Sequence, residues 1–295
     1  MIPEPAKMQR VCVIGLGLMG GSLGLALRQR GLAAHVVGCG REALLRRAVA
    51  LGAIDSGSTD AGEAAAESDF IFLCTPVETS IRLMREIAPR LKPGALITDV
   101  GSTKQAFAAA AREIFGAKAG ERVLPGHPLA GRELSGLEHA AADLYAGCVW
   151  VLTPVEESAA ASHAPYARHE TLRATIEALS ARVVYATPEE HDRILAYTSH
   201  LPQMLSTALA LTLEKTFGAG NPALEIHAGG LRTMLRLALS DPAMWEQIAA
   251  SNPQNIAAAL ECFEGEVRKL RENLADPEFR RTFEEAREFA KLLKS

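Results

Sequence analysis

The feature that most constrains this chain is the run R-V-C-V-I-G-L-G-L-M-G over residues 10–20. A short apolar strand ends in Gly-x-Gly-x-x-Gly and opens directly into a helix-forming stretch. Each glycine has its own steric task. Gly15 allows the tight turn, Gly17 lets the backbone approach a pyrophosphate, and Gly20 lets the helix pack on the strand. Leu18 and Met19 occupy the positions between. They fall in the first helical turn, whose free N–H groups and dipole favour an anion. A dinucleotide is the expected ligand.

The rest of the first half repeats this alternation. Apolar runs at 10–15, 35–38, 70–74, 95–100, 123–126 and 149–153 are separated by helical stretches. Runs that are nearly all apolar imply a parallel sheet covered on both faces. Right-handed crossovers then make it doubly wound. After 183–188 the strand signal stops. Ala/Leu/Glu/Arg-rich segments follow at about 189–217, 222–239, 242–273 and 277–294, with Asp241-Pro242 and Asp276-Pro277 as helix starts. The expected fold is α/β: an N-terminal Rossmann sheet, mainly parallel, over 1–187, and an all-α domain over 188–295 that binds substrate and dimerises. Helices this apolar in so short a segment need a second copy to bury them.

Composition narrows the function. Lys+Arg 31 against Asp+Glu 35 leaves a net charge of −4, with no basic excess for a nucleic acid. No apolar run reaches a membrane span. The N-terminus has no apolar signal core. The five cysteines stand far apart, with no Cys-x-x-Cys, so no disulfide framework or thiolate metal site is expected. Cys12, Cys39 and Cys74 read as small buried hydrophobes in a cytoplasmic protein. No metal is expected, because the eight histidines show no zinc-type spacing.

Where the second strand ends, about 20 residues past the last glycine, a carboxylate would bind a ribose 2′-hydroxyl. Here Gly40 and Arg41 stand instead. Loss of the carboxylate removes a repulsion, and a guanidinium can pair with a 2′-phosphate. The expectation is NADP, with NAD as the alternative if Arg41 is merely solvated and Glu42 takes the ribose. Two further strand ends carry polar residues: Gly101-Ser102-Thr103-Lys104, and His127-Pro128. Ligands of open α/β sheets lie beyond these carboxyl ends. Ser102 and His127 are therefore expected to form a proton-handling pair, although Ser102 alone could be a helix N-cap.

The stretches VCVIGLGLMGGSL, FLCTPV, ITDVGSTK, GHPLAGRELSG, Ser199-His200-Leu201-Pro202 and GGLRTMLRLALSDPAMW run nearly the length of the chain. Together they resemble the prephenate and arogenate dehydrogenases of tyrosine biosynthesis. The resemblance implies oxidative decarboxylation of a cyclohexadienyl acid. A hydride leaves the carbinol carbon for the nicotinamide, and loss of carbon dioxide makes the ring aromatic. It implies His127 as the base and Ser102 as its assistant. The cofactor surface extends to Cys74, Thr75, Pro76 and Gly101. The substrate surface comprises His200, Arg236, Arg232, Glu133, Gln203, Gly131 and Gly230, with Trp245 near the pocket. Arg232 and Arg236 are spaced i, i+4, on one helix face, and a guanidinium fork suits a carboxylate.

The chain departs from the family at Thr233, where relatives often carry Asp, and at Arg132, where they often carry Thr. Gln203 replaces a histidine found in some members. Glu133 and Gln203 would favour the ammonium of arogenate, and Arg132 opposes it. NADP use with Arg41 resembles the arogenate-type members, so the expectation leans to arogenate. Two rivals remain. A β-hydroxyacid dehydrogenase would need a catalytic lysine in the helical half, where Lys215 has no such setting. A non-catalytic NADP sensor would need no His127, Ser102 and Arg236. No appended regulatory module is expected.

Overall fold

The structure is a computed structural model that describes residues 7–130, 134–156 and 166–293. Five strands form a parallel sheet: β1 (Met8–Ile14), β2 (Ala33–Cys39), β3 (Ser56–Ser58), β4 (Phe70–Leu73) and β5 (Leu96–Asp99), in the order β3-β2-β1-β4-β5. In register, Val11 lies between Val36 and Phe70. The helices α1 (Leu18–Gln29), α2 (Glu42–Leu51), α3 (Ala61–Ala66), α4 (Val77–Ile87), α5 (Gln105–Phe115) and α6 (Ala119–Arg122) connect the strands.

The alternation of side chains explains the unbroken apolar runs. Val11 and Val13 face one core, with Phe70, Phe72, Leu23 and Trp150. Cys12 and Ile14 face the other, with Ile71, Leu73, Ile97 and Phe107. Cys12 and Cys39 are buried there as expected, and burial pushes the Cys39 thiol up to about 11.

The single-sheet expectation is corrected. The last strands, β6 (Gly126–Pro128), β7 (Val149–Leu152) and β8 (Arg182–Tyr185), form a separate three-stranded sheet in which β6 runs antiparallel to β7. The run 123–126 contributes only one bridge to the main sheet, Val123 to Ile97. Pro128 fits an edge strand, because it has no N–H to offer a further neighbour. β3 was missed because Ser-Gly-Ser carries no apolar pattern.

Beyond α7 (Ala167–Ala178) the chain is helical apart from β8: α8 (Pro188–Leu195), α9 (Leu201–Phe217), α10 (Gly229–Leu235), α11 (Pro242–Ser251), α12 (Pro253–Glu272) and α13 (Glu278–Leu292). Asp241 caps the Ala243 N–H, and Asp276 caps that of Glu278. Ala196–His200 is a π-turn between α8 and α9. It precedes Pro202, whose ring and missing N–H disfavour an ordinary helical bond there. The helical core is small, centred on Ala196, Ile248, Ile256 and Ala259. Ile226, Leu239, Phe283 and Phe289 are exposed. One copy of this half leaves much apolar surface in water.

Candidate active site

The glycine turn is built as its spacing requires. Gly15 has φ +94, and a Cβ there would lie 2.6 Å from the Cys74 carbonyl oxygen. A Cβ on Gly20 would overlap the Gly15 carbonyl oxygen, whereas one on Gly17 would meet nothing. Gly17 caps α1 with no side-chain bond, and no acidic residue lies in the first turn. The N-terminal N–H groups are thus open to an anion. The Tyr145 hydroxyl braces the turn by donating to the Met19 carbonyl at 2.7 Å. These features fit a pyrophosphate.

At the end of β2, Gly40 is followed by Arg41, which is exposed and makes no side-chain hydrogen bond among the described residues. Glu42 is exposed and ion-paired with Arg46, so its carboxylate is already engaged.

A cleft of about 290 Å³ opens beside the turn. Met19, Cys74, Thr75, Pro76, Gly101 and Ser102 line it from the sheet side. Asp241, Ala243, Met244, Gln247 and Ile248 line it from α11 and its cap. Of these, Asp241 is expected from the sequence only as a helix cap, and Met244 and Gln247 carry no sequence signal that points to the cleft. Ser102 is half-buried and is not the cap of α5, which begins at Gln105. No hydrogen bond joins Ser102 to His127 among the described residues.

His127 lies in β6, 8% exposed, and is held from two directions. One is a buried ion pair. Lys104 Nζ contacts Asp99 Oδ2 and donates to the Gly126 carbonyl at 2.8 Å. Asp99 Oδ1 accepts the Gly126 N–H at 3.1 Å. Both polar groups of the residue before His127 are thereby pinned.

The other is a chain of side chains. His127 Nδ1 lies 2.9 Å from His191 Nε2, and His191 Nδ1 lies 2.8 Å from Asp192 Oδ1. The Asp192 carboxylate accepts the N–H groups of Lys104 (2.7 Å) and Gln105 (2.9 Å), capping α5 from α8. Sequence reading missed His191 and Asp192. A His-Asp pair in a charged helix start reads as a solvated face, and its partners lie 64 and 88 residues away.

Burial holds the His127 imidazole well below its usual pKa, with the neighbouring His191, Lys104 and His200 acting in the same direction. It is neutral at pH 7. Burial also lowers His191 and brings His200 down to about 4. His200 stacks edge-on against Trp245, with centroids 5.9 Å apart. Asn252 Nδ2 approaches His200 Nδ1 at 3.5 Å and donates to the Asp192 carbonyl at 2.8 Å.

The remaining described substrate candidates do not line this cleft. Gly131 and Glu133, with Arg132, lie outside the described residues. Gly230, Arg232 and Arg236 are exposed. A Cβ on Gly230 would meet nothing within the chain.

The helix expected to carry both arginines is shorter than their spacing implies. α10 ends at Leu235, and Arg236 begins a 3-10 turn. The cause is Ser206, whose hydroxyl donates to the Met234 carbonyl at 2.7 Å and accepts the Ala238 N–H at 2.9 Å. It stands inside the i→i−4 ladder and breaks it. Gln203 is also corrected. Its amide donates to the Leu237 carbonyl (2.8 Å) and accepts from Ser240 Oγ (3.3 Å). Both ends of the amide are engaged in holding that turn. Lys215 is exposed in the last turn of α9 and does not line the cleft.

The fold and cleft define a two-part nucleotide-binding oxidoreductase with a buried neutral imidazole beyond the sheet's carboxyl edge. Comparisons with known proteins agree. Residues 23–185 match the family model of the prephenate dehydrogenase nucleotide-binding domain, and 187–294 that of the prephenate dehydrogenase dimerization domain. The prephenate dehydrogenase of Lactococcus lactis is 32% identical over 259 residues, covering 87% of this chain and 68% of that one. The Aquifex aeolicus prephenate dehydrogenase, solved with hydroxyphenyl propionate and NAD+, superposes with a TM-score of 0.86 at 29% identity, over 98% of this chain and 100% of that one. Synechocystis arogenate dehydrogenase gives 0.80 at 26%, over 97% and 100%. The chain belongs to the prephenate dehydrogenase family.

Proposed function

We propose that this chain catalyses the NADP-dependent oxidative decarboxylation of a cyclohexadienyl acid, prephenate or arogenate. The observation that carries this reading is the neutral imidazole of His127, held at a strand end by the His191–Asp192 chain and by the pinned Gly126. A neutral imidazole is the form that accepts a hydroxyl proton. The Gly15–Gly20 turn and the α1 N-terminus would hold the cofactor pyrophosphate, Arg41 its 2′-phosphate, and the cleft from Met19 to Gln247 its nicotinamide end. When bound, the nicotinamide accepts a hydride.

The chain's own residues do the rest. His127 takes the ring hydroxyl proton as the carbinol carbon is oxidised. Ser102, in the cleft, orients that hydroxyl. His200 positions the ring, and Arg232 and Arg236 take the carboxylates. Carbon dioxide then leaves, and aromatisation drives the step, so orientation and charge placement are the enzyme's main tasks. The nucleotide domain spans 1–187. The helical domain, 188–295, pairs with a second copy through the exposed apolar residues of its helices. With Gln203 committed to the Arg236–Ser240 turn, one of the three grounds for an arogenate preference is withdrawn.

Steady-state kinetics with prephenate and arogenate, each with NADP and NAD, test the reading. His127→Asn is expected to lower kcat by about 10²–10⁴-fold, the usual contribution of a positioned base, with cofactor affinity retained. Full turnover by this variant refutes the assignment.

A further inference from the structure

The chain of side chains behind His127 carries information about where its proton sits. Asp192 is the fixed end. Its carboxylate accepts two backbone N–H groups, from Lys104 and Gln105, and an ionised carboxylate can only accept. His191 Nδ1, 2.8 Å away, must therefore be the donor. A neutral imidazole carries one N–H, so His191 Nε2 bears a lone pair. His127 Nδ1, 2.9 Å from that lone pair, must in turn carry the hydrogen. The lone pair of His127 is left on Nε2.

The alternative is a doubly protonated His191. It would turn His127 Nδ1 into an acceptor and put the hydrogen on Nε2, where no base could act. Burial of His191, and the Lys104 cation near it, oppose that form.

We infer that His191 is a positioning residue: braced on the Asp192 carboxylate, it holds His127 in the Nδ1–H tautomer and so keeps Nε2 free to accept the substrate's proton. The inference rests on the reading of His127 as the base. The step balances simply. The substrate O–H bond breaks, its proton bonds to Nε2, and the Nδ1–H stays where it was, already hydrogen-bonded. No proton has to pass to His191. The positive charge that forms on His127 lies one ring from a carboxylate held by the α5 N-terminus.

The device also explains a local oddity. α5 begins at Gln105, yet neither Ser102 nor Thr103 caps it. Thr103 Oγ1 donates instead to Ser251 Oγ at 2.8 Å. The cap comes from α8, so the helix that carries Lys104 and the imidazole that orients His127 are set by one carboxylate.

The test is ¹⁵N NMR of enzyme labelled at the imidazole nitrogens, at pH 8, with His127 assigned by its loss in His127→Asn. Wild type is expected to show His127 as the Nδ1–H tautomer. His191→Leu removes the acceptor, and His127 should shift toward Nε2–H. That variant should lose about 10²-fold or more in kcat, while substrate KM and NADP affinity stay within about twofold, as expected for a group acting on the base alone. His191→Gln, whose amide can both donate to Asp192 and accept from His127, should restore the tautomer and most of kcat. An Nε2–H tautomer in wild type overturns the inference. So does a His191→Leu enzyme with its tautomer and turnover unchanged. If His191→Leu fails to fold, the wild-type and His191→Gln spectra still decide. Full turnover by His127→Asn with the Nδ1–H tautomer present in wild type would defeat the catalytic reading and leave the positioning intact.

Discussion

The Asp99–Lys104 pair is a buried ionic contact with both side chains fully enclosed. Lys104→Met tests what it does. Methionine nearly matches the length of the lysine stem, so the cavity cost is small and the change is mainly electrostatic. The Asp99 carboxylate keeps the Gly101 and Gly126 N–H groups, at 2.9 and 3.1 Å, but loses its counter-charge. The Gly126 carbonyl loses its 2.8 Å donor.

Removing one partner of a buried pair costs about 3–5 kcal/mol, against a total stability of about 5–15 kcal/mol. At about 2–4 °C per kcal/mol for chains of this order of size, Tm should fall by about 6–20 °C. Differential scanning fluorimetry of the cofactor-free enzyme reads this directly. Asp99→Asn added to Lys104→Met removes the stranded charge and should recover part of the loss. A Lys104→Met protein within about 2 °C of wild type would refute the reasoning. A double variant no more stable than the single one would refute its electrostatic origin. Because the pair pins Gly126, the surviving folded Lys104→Met enzyme should also turn over more slowly.

Two other outcomes follow from the geometry. Arg41→Ala should raise KM for NADP by about ten- to hundredfold, the loss of one charged hydrogen bond. KM for NAD should hardly change, and equal effects on both cofactors would remove Arg41 from the 2′-phosphate site. Stability should also fall on the acid side. His127, His169, His191 and His200 are all buried with lowered pKa, His169 and His200 at about 4. Above pH 6.5 both folded and unfolded forms are neutral at these sites. Below it the unfolded chain takes up protons that the folded one refuses, and each site withdraws up to about 1.4 kcal/mol per pH unit until its folded pKa is reached. Urea midpoints should decline steeply from pH 7 to pH 5, and a flat profile would contradict the burial of these rings.

The local features were legible because their causes are local. Gly15, Gly17 and Gly20 report steric needs within one turn, and those needs are met where the spacing put them. The alternation in β1 reports a sheet covered on both faces, and Asp241 and Asp276 report helix starts through bonds that span two residues. That Ser102 shares a cleft with Met19 of the glycine turn followed from strand ends, since parallel strands deliver their carboxyl termini to one edge.

What stayed hidden depends on residues far apart in the chain. No periodicity tells that 126–128 pairs antiparallel in a second sheet. Nothing in a helical arginine pair tells that Ser206, from another helix, stands in its hydrogen-bond ladder and ends the α-helix at Leu235. The support of His127 belongs to the same class. Strand-end position and the family resemblance named the imidazole, but the neighbours that orient it, His191 and Asp192, are brought in from α8 by packing. Residue type sets what chemistry a side chain can do. Its protonation and aim are set by burial and by neighbours that only the folded chain assembles.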